Sequence, residues 1–127
     1  MPEQVYRDAI QIHRPALQAA FADYFDDNDL AGLLFPTTPL PARPIGDDET
    51  VELNGQQVPT FTTYIRNTDP GSNAGLPGLS IPVGLTSQGL PVGMEIDAPA
   101  GRDQQLLAVG VAYQQAMDPI PKPPPNM

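Results

Sequence analysis

Two apolar runs in the second half of the chain, LSIPVGL (residues 79–85) and LPVGMEI (90–96), each contain a proline, Pro82 and Pro91. Proline has no N–H to give a neighbouring strand, so within a sheet it is confined to edges, strand starts or bulges. Between the runs, Ser87 to Gly89 reads as a tight turn, which makes the pair antiparallel. A third short strand is expected in AGLLFP, closed by Pro36. Three strands so constrained make a thin sheet, and the flanking helices offer it more apolar surface than it can cover. The prediction is an α/β or α+β arrangement, with α/β preferred, incomplete on its own, with a missing part covering the apolar surface around residues 79–83 and 92–96.

The helices are read from periodicity. In GRDQQLLAVGVAYQQAM, Leu106, Val109, Gly110, Tyr113 and Met117 share one side, widened by Leu107 and Val111. Gly110 in a helix interior costs about 1 kcal/mol relative to alanine, which points to close packing against the sheet. Near the N-terminus, Val5, Ala9, Ile10 and His13 suggest a short helix, and Pro15 suits the first turn of a new one. Leu17, Ala20, Phe21, Tyr24 and Phe25 then form one stripe, ending near Asp27 and Asn28, with Asn28 as a left-handed cap. Asn54-Gly55 between two short polar-alternating arms marks a hairpin.

One stretch resists this treatment. RNTDPGSNAGLPGLSIPVG (residues 66–84) is too rich in glycine and proline for a packed helix or a lone strand. Such a run implies backbone held at close quarters, near a ligand or another piece of protein. Proline and glycine together number seventeen and eleven in 127 residues, well above ordinary usage. Five of the prolines fall in the tail PIPKPPPNM, residues 119–127, expected to be extended or disordered, which leaves residues 1–118 as one folded piece.

The chemistry-bearing residue types exclude most self-contained sites. There is no cysteine, hence no disulfide framework and no thiolate metal site. Fifteen acidic residues against six basic ones, a net charge of -9, argue against a nucleic-acid partner. No apolar run is long enough to span a membrane and no secretory signal opens the chain; the compartment stays open, with a cytoplasmic one the first expectation. His13 is the single histidine and falls on an apolar helix side, where a structural role is expected. Ser72, Ser80 and Ser87 sit in no G-x-S-x-G elbow. The acids at residues 26–29 lack calcium-loop spacing and read as a solvated helix end. Lys122, the single lysine, lies in the tail, away from any site that would activate it. Asp69, Glu95, Asp97 and Asp103 remain possible partners in a carboxylate pair, with nothing in the sequence to fix their geometry.

The segment NTDPGSNAGLPGLSIPVGLTSQGLPVGMEIDAPAGRDQQLLAVGVAYQQA resembles the C-terminal portion of amidase signature enzymes. The resemblance is strongest to the arylacetamide branch, which includes mandelamide and indoleacetamide hydrolases. It rests on Asn73, Gly75 and Pro77, on residues 79–84 and 89–93, and on Leu106-Leu107. Upstream, LLFPTTPLPA is similar on Pro36, Thr37 and Pro39, so that the likeness covers residues 14–117. It implies a mixed sheet flanked by helices and cleavage of a carboxamide by a serine nucleophile, aided by a second serine and a lysine, without metal or cofactor.

The motif that carries those catalytic groups is absent from this chain. The chain is thus expected to be a C-terminal piece, whether subunit, cleavage product or split gene product, and its opening methionine favours separate expression. Its expected partners are the N-terminal catalytic portion and a small amide substrate. By the same resemblance Thr37, Thr38, Asn67 and Asn73 line the substrate pocket or hold its loops, unless Asn73 only pins its own turn and the threonines are structural. Gly71, Gly75, Gly78 and Gly84 serve backbone conformation and close approach. A non-catalytic module on the same scaffold is the alternative, and a tRNA amidotransferase subunit ranks lower because the chain offers no basic surface.

Overall fold

The computed structural model describes residues 1–46 and 48–117, so the proline-rich tail lies outside the described residues. The chain opens with α1 (Glu3–Asp8), a π-helical turn (Ala9–His13) and α2 (Arg14–Asp27) in direct succession. Pro15 does stand in the first turn of α2. Instead of a break before it, the helix continues through the π turn. Proline brings no N–H for the preceding turn, and a widened turn absorbs that loss without ending the helix.

The end of α2 also differs from expectation. Asn28 is not left-handed (φ -108°); that conformation falls to Asp29, at φ 50°. Asn28 Nδ2 donates to Tyr24 O at 2.8 Å, and the Leu30 amide closes the reversal on Phe25 O at 3.0 Å.

Three strands, β1 (Leu33–Pro36), β4 (Gly78–Leu85) and β5 (Pro91–Asp97), form a sheet in the order β1-β5-β4. Both pairings are antiparallel, so no parallel pair occurs in this sheet among the described residues. The prolines occupy the positions their chemistry allows. The β4–β5 register is irregular between Pro82 and Gly84, and Pro91 is the first residue of β5. A separate hairpin, β2 (Thr50–Leu53) with β3 (Gln56–Pro59), turns at Asn54 and Gly55, both at positive φ, and leads into α3 (Thr60–Tyr64).

The glycine-rich run holds a helix after all, α4 (Asp69–Ala74). Its composition disfavours a free helix but suits the two ends of a short, docked one. Pro70 lies in the first turn, where no N–H is needed, and Gly75 takes φ 79° just past the end. The Leu76 amide donates to Gly71 O (3.0 Å) and the Gly75 amide to Ser72 O (3.2 Å), a paired closure of the helix end. Gln18 Nε2 donates to Ala74 O at 2.8 Å and ties α2 to this helix.

The last helix, α5 (Asp103–Ala116), lies over β4. A Cβ on Gly110 would stand 2.5 Å from Leu79 Cδ2, so the helix approaches the strand as closely as the glycine predicts. Only part of the expected apolar face is covered: Leu106 is buried at 4% exposure, whereas Leu107 is 60% exposed and Val109, Val111 and Met117 are also open. The same holds for α2, where Phe25 is buried and Tyr24 exposed. The uncovered apolar surface is thus not the one expected. On β4 and β5, Ile81 is buried and Leu79, Val83, Val92, Met94 and Ile96 are half-buried, because α5 and β1 already pack there. The open apolar side chains are instead on the outer sides of the helices, with Leu34, Phe61 and Leu85.

Candidate functional site

Strand alternation divides the sheet into two faces. Leu79, Ile81, Met94 and Ile96 point toward α5 as register partners, while Gly78, Ser80, Gly93, Glu95 and Asp97 share the other face. The Thr37 amide extends β1 by donating to Gly93 O at 3.1 Å. This brings the Thr37 hydroxyl to 2.5 Å from that of Ser80, in a shared hydrogen bond. Gly93 makes the approach possible, since a Cβ there would lie 2.9 Å from Ser80 Oγ and 3.1 Å from Thr37 Oγ1. Asn67 Nδ2 donates to Pro36 O at 2.8 Å and clasps the loop between α3 and α4 onto the end of β1.

The four residues singled out in the sequence therefore separate. Thr37 and Asn67 meet at the end of β1. Thr38 turns away, donating to Leu40 O at 2.7 Å and lining a cavity of about 200 Å³ with Pro39, Pro91 and Val92. Asn73 is exposed and donates to Asp69 O at 3.0 Å, one turn back in its own helix. A larger cleft of about 500 Å³ lies between α2, α4 and residues 99–102, with Gln18, Asp26 and Arg102 as its polar groups. It is separate from the hydroxyl pair.

Beside that pair lie the two carboxylates the sequence could not place. Glu95 and Asp97 are two apart on β5 and so share a face, whereas Asp69 and Asp103 sit exposed in the first turns of α4 and α5. Asp97 is 4% exposed as a whole residue, but no buried side-chain oxygen among the described residues lacks a partner, so its carboxylate keeps an open edge to water. Two glycines make room for it. A Cβ on Gly71 of α4 would overlap Asp97 Oδ2, and one on Gly78 would stand 2.9 Å from both Asp97 Oδ1 and Glu95 Oε1. Burial raises the Asp97 pKa above its ordinary value. It does the same for Glu95, where the neighbouring Asp97 charge adds to the rise. Sequence reasoning reached Ser80 only as a nucleophile to reject; its pairing with Thr37 depends on register that the sequence does not display. The spacing of Glu95 and Asp97 was the one signal that could have joined them.

The other serines and the histidine assemble no catalytic set. Ser72 and Ser87 are exposed, as is His13 in the π turn. Ser80 has Thr37 as its side-chain partner and no basic group beside it among the described residues. No described helix is long and apolar enough to cross a membrane.

The structure is an antiparallel sheet packed by helices, with a polar face of hydroxyls and glycines. The chain belongs to the amidase family, whose model matches residues 1–107. It is 57% identical over 113 residues to an indoleacetamide hydrolase of Agrobacterium vitis, a match covering 89% of this chain and 24% of that protein. A mandelamide hydrolase of Pseudomonas putida is 37% identical over 124 residues, covering 95% of this chain and 23% of the relative. A solved structure of an amidase superposes with a TM-score of 0.82 at 32% identity, over 93% of this chain and 26% of the other. The chain thus spans about a quarter of the length of the relatives it matches. The resemblance read from the sequence holds at this level: family, branch and an α/β fold with helices flanking the sheet.

Proposed function

We propose that this chain is the C-terminal portion of an amidase that hydrolyses carboxamides to a carboxylate and ammonia. In this reading a serine from the portion outside the chain attacks the amide carbon, ammonia leaves, and water releases the acyl group from the serine ester. A second serine and a lysine, also outside the chain, manage the protons. The chain itself contributes scaffold and pocket wall. Thr37 and Asn67 fix the end of β1 beside the substrate, Thr38 lines the neighbouring cavity, and Asn73 holds α4 in shape. Arylacetamides are the substrate class.

The observation that carries the proposal is the 57% identity to an indoleacetamide hydrolase combined with coverage of only 24% of its length. Supporting it, a neutral carboxamide needs hydroxyl and amide groups held on rigid elements, which the Thr37–Ser80 and Asn67–Pro36 contacts provide. The test is a chimera in which this chain replaces the matching segment of the Agrobacterium vitis enzyme. Hydrolysis of indole-3-acetamide within about tenfold of the parent kcat/KM is expected, since a preserved scaffold leaves under about 1.4 kcal/mol to lose. A folded chimera without turnover overturns the proposal and favours the non-catalytic module.

A further inference from the structure

The two edges of the β1-β5-β4 sheet are not alike. In an antiparallel ladder, alternate residues turn their main-chain groups toward the neighbouring strand and the others turn them outward. On β1 the Thr37 amide donates to Gly93 O at 3.1 Å, so Leu34 and Pro36 are the outward residues. Pro36 has no N–H, and its carbonyl already accepts from Asn67 Nδ2 at 2.8 Å. That edge is four residues long and half closed. On β4 the Ala98 amide donates to Pro77 O at 3.0 Å, which turns Leu79 and Ile81 toward β5 and Gly78, Ser80 and Pro82 outward. Pro82 is closed as Pro36 is: it lacks the N–H, and its carbonyl accepts from the Tyr113 hydroxyl of α5 at 3.0 Å. Gly78 and Ser80 are exposed, and no strand lies beyond them among the described residues. β4 is eight residues long and carries no charge to keep another strand away.

We infer that the amidase sheet continues at this first half of β4, where a strand from the part outside this chain pairs with the main chain of Gly78 and Ser80. The inference rests on the proposed function, since that part is the occupant. A second feature lies beside the open edge. A groove of about 290 Å³ runs between β4 and α5, lined by Leu79, Ile81, Pro82, Leu107 and Val111. Leu107 and Val111 are 60% and 55% exposed, so the groove opens onto the uncovered apolar side of α5. A strand added at Gly78 and Ser80 sends alternate side chains to the α5 side of the sheet, where this groove receives them. The occupant must therefore supply both a strand and apolar cover for a helix. The matched segment is 24% of the indoleacetamide hydrolase, so the remainder of such an enzyme is large enough to supply both. The strand it contributes alternates, with apolar residues toward α5 and polar or small ones toward Ser80 and Glu95. Its pairing fixes the position of the pocket wall and takes no part in the chemical step.

The experiment uses the chimera in which this chain replaces the matching segment of the Agrobacterium vitis enzyme, and reads amide hydrogen exchange residue by residue along β4. Leu79 and Ile81 are bonded to β5 whatever lies beyond, and serve as the internal standard. Gly78 and Ser80 are expected to exchange within about tenfold of them, since a paired strand opens as a unit. Exchange at Gly78 and Ser80 faster by more than about tenfold, in a chimera that turns over indole-3-acetamide, overturns the inference and leaves the proposed function standing. Protected amides in a folded chimera without turnover keep the strand partner and overturn the amide reading. Unprotected amides in a folded chimera without turnover overturn both. Ser80→Pro removes the outward N–H and no bond to β5, whereas Ser80→Ala removes only the hydroxyl paired with Thr37. Ser80→Pro is expected to lower the Tm of the chimera by several degrees beyond Ser80→Ala, and equal melting overturns the pairing. The same exchange measured on the chain alone names the source, with fast exchange at Gly78 and Ser80 expected. Protection there, with elution as a dimer, overturns the outside strand in favour of a second copy. Protection in a monomer overturns it too, because the chain then closes its own edge.

Discussion

The two faces of the β1-β5-β4 sheet are finished to different degrees. On one, Leu79 meets Gly110 of α5 at close range, Tyr113 donates its hydroxyl to Pro82 O at 3.0 Å, and Ile81 is buried. On the other, a hydroxyl pair and two carboxylates lie beside glycines, and both carboxylates keep raised pKa values through partial burial. The first face is removed from water where α5 covers β4, but at its β1 edge Leu34, the register partner of Ile96, stays 62% exposed. The second keeps its polar groups paired or at an open edge, as buried polar groups require.

The largest effect expected on the finished face is at Leu106. Truncation to alanine removes a side chain that is 4% exposed and leaves a cavity under α5, for a loss of about 2–5 kcal/mol. Leu107, its neighbour on the same helix, is 60% exposed, and Leu107→Ala in the isolated chain should change stability by less than about 0.5 kcal/mol. Urea unfolding of both variants checks the division. If Leu107→Ala costs as much as Leu106→Ala, the outer side of α5 is covered and the contrast between the faces is wrong. Should the Leu107 cost appear only after assembly, the contrast is sharpened.

That division of α5 was only half legible. The periodicity located the helix and Gly110 announced the close approach, but periodicity cannot say how wide a face the partner covers. The β4–β5 pair was more fully readable, since Pro82, Pro91 and the turn before Leu90 each have few places to go. The Asn54-Gly55 hairpin was similarly plain. By contrast α4 was hidden, because its stability comes from Pro70, the Gly75 closure and the Gln18 tie, while its propensity is poor. The close approach of Gly71 to Asp97 was hidden for a related reason, since it arises from tertiary packing that no local pattern records.

On the unfinished face the expected effect is smaller and has the opposite sign. Burial raises both carboxyl pKa values in the folded chain, so folding takes up protons between the ordinary carboxylate range, about pH 4, and the folded values. Stability from this source is therefore fully present below that range and is lost as pH rises through the folded pKa values. Asp97→Asn should flatten the decline and raise the Tm of the isolated chain at neutral pH by a smaller amount than Leu106→Ala lowers it. Thermal melts of wild type and variant from pH 4 to 8 measure it. A wild-type Tm that climbs over this range, with the climb removed by Asn at residue 97, would mean the carboxylate is already satisfied within the chain.

The smallest effect is expected at Asn73, which belongs to neither face. Its amide donates to Asp69 O at 3.0 Å inside α4, from an exposed position. An exposed hydrogen bond of this kind contributes about 0.5–1.5 kcal/mol, because water can take over the carbonyl when the donor is removed. Asn73→Ala also gains helix propensity, worth up to about 0.7 kcal/mol in a helix interior. The two terms nearly cancel, so the net change in stability should stay within about 0.5 kcal/mol. A pocket role would read differently, because a bond made chiefly to the transition state, worth about 1–3 kcal/mol, would lower kcat/KM by about 10- to 150-fold at constant Tm. Measuring both quantities on one sample of the chimeric amidase separates the two. Near-normal kinetics with an unchanged Tm would confine Asn73 to its own helix, leaving Thr37 and Asn67, which meet at the end of β1, as the residues the proposed pocket role still rests on.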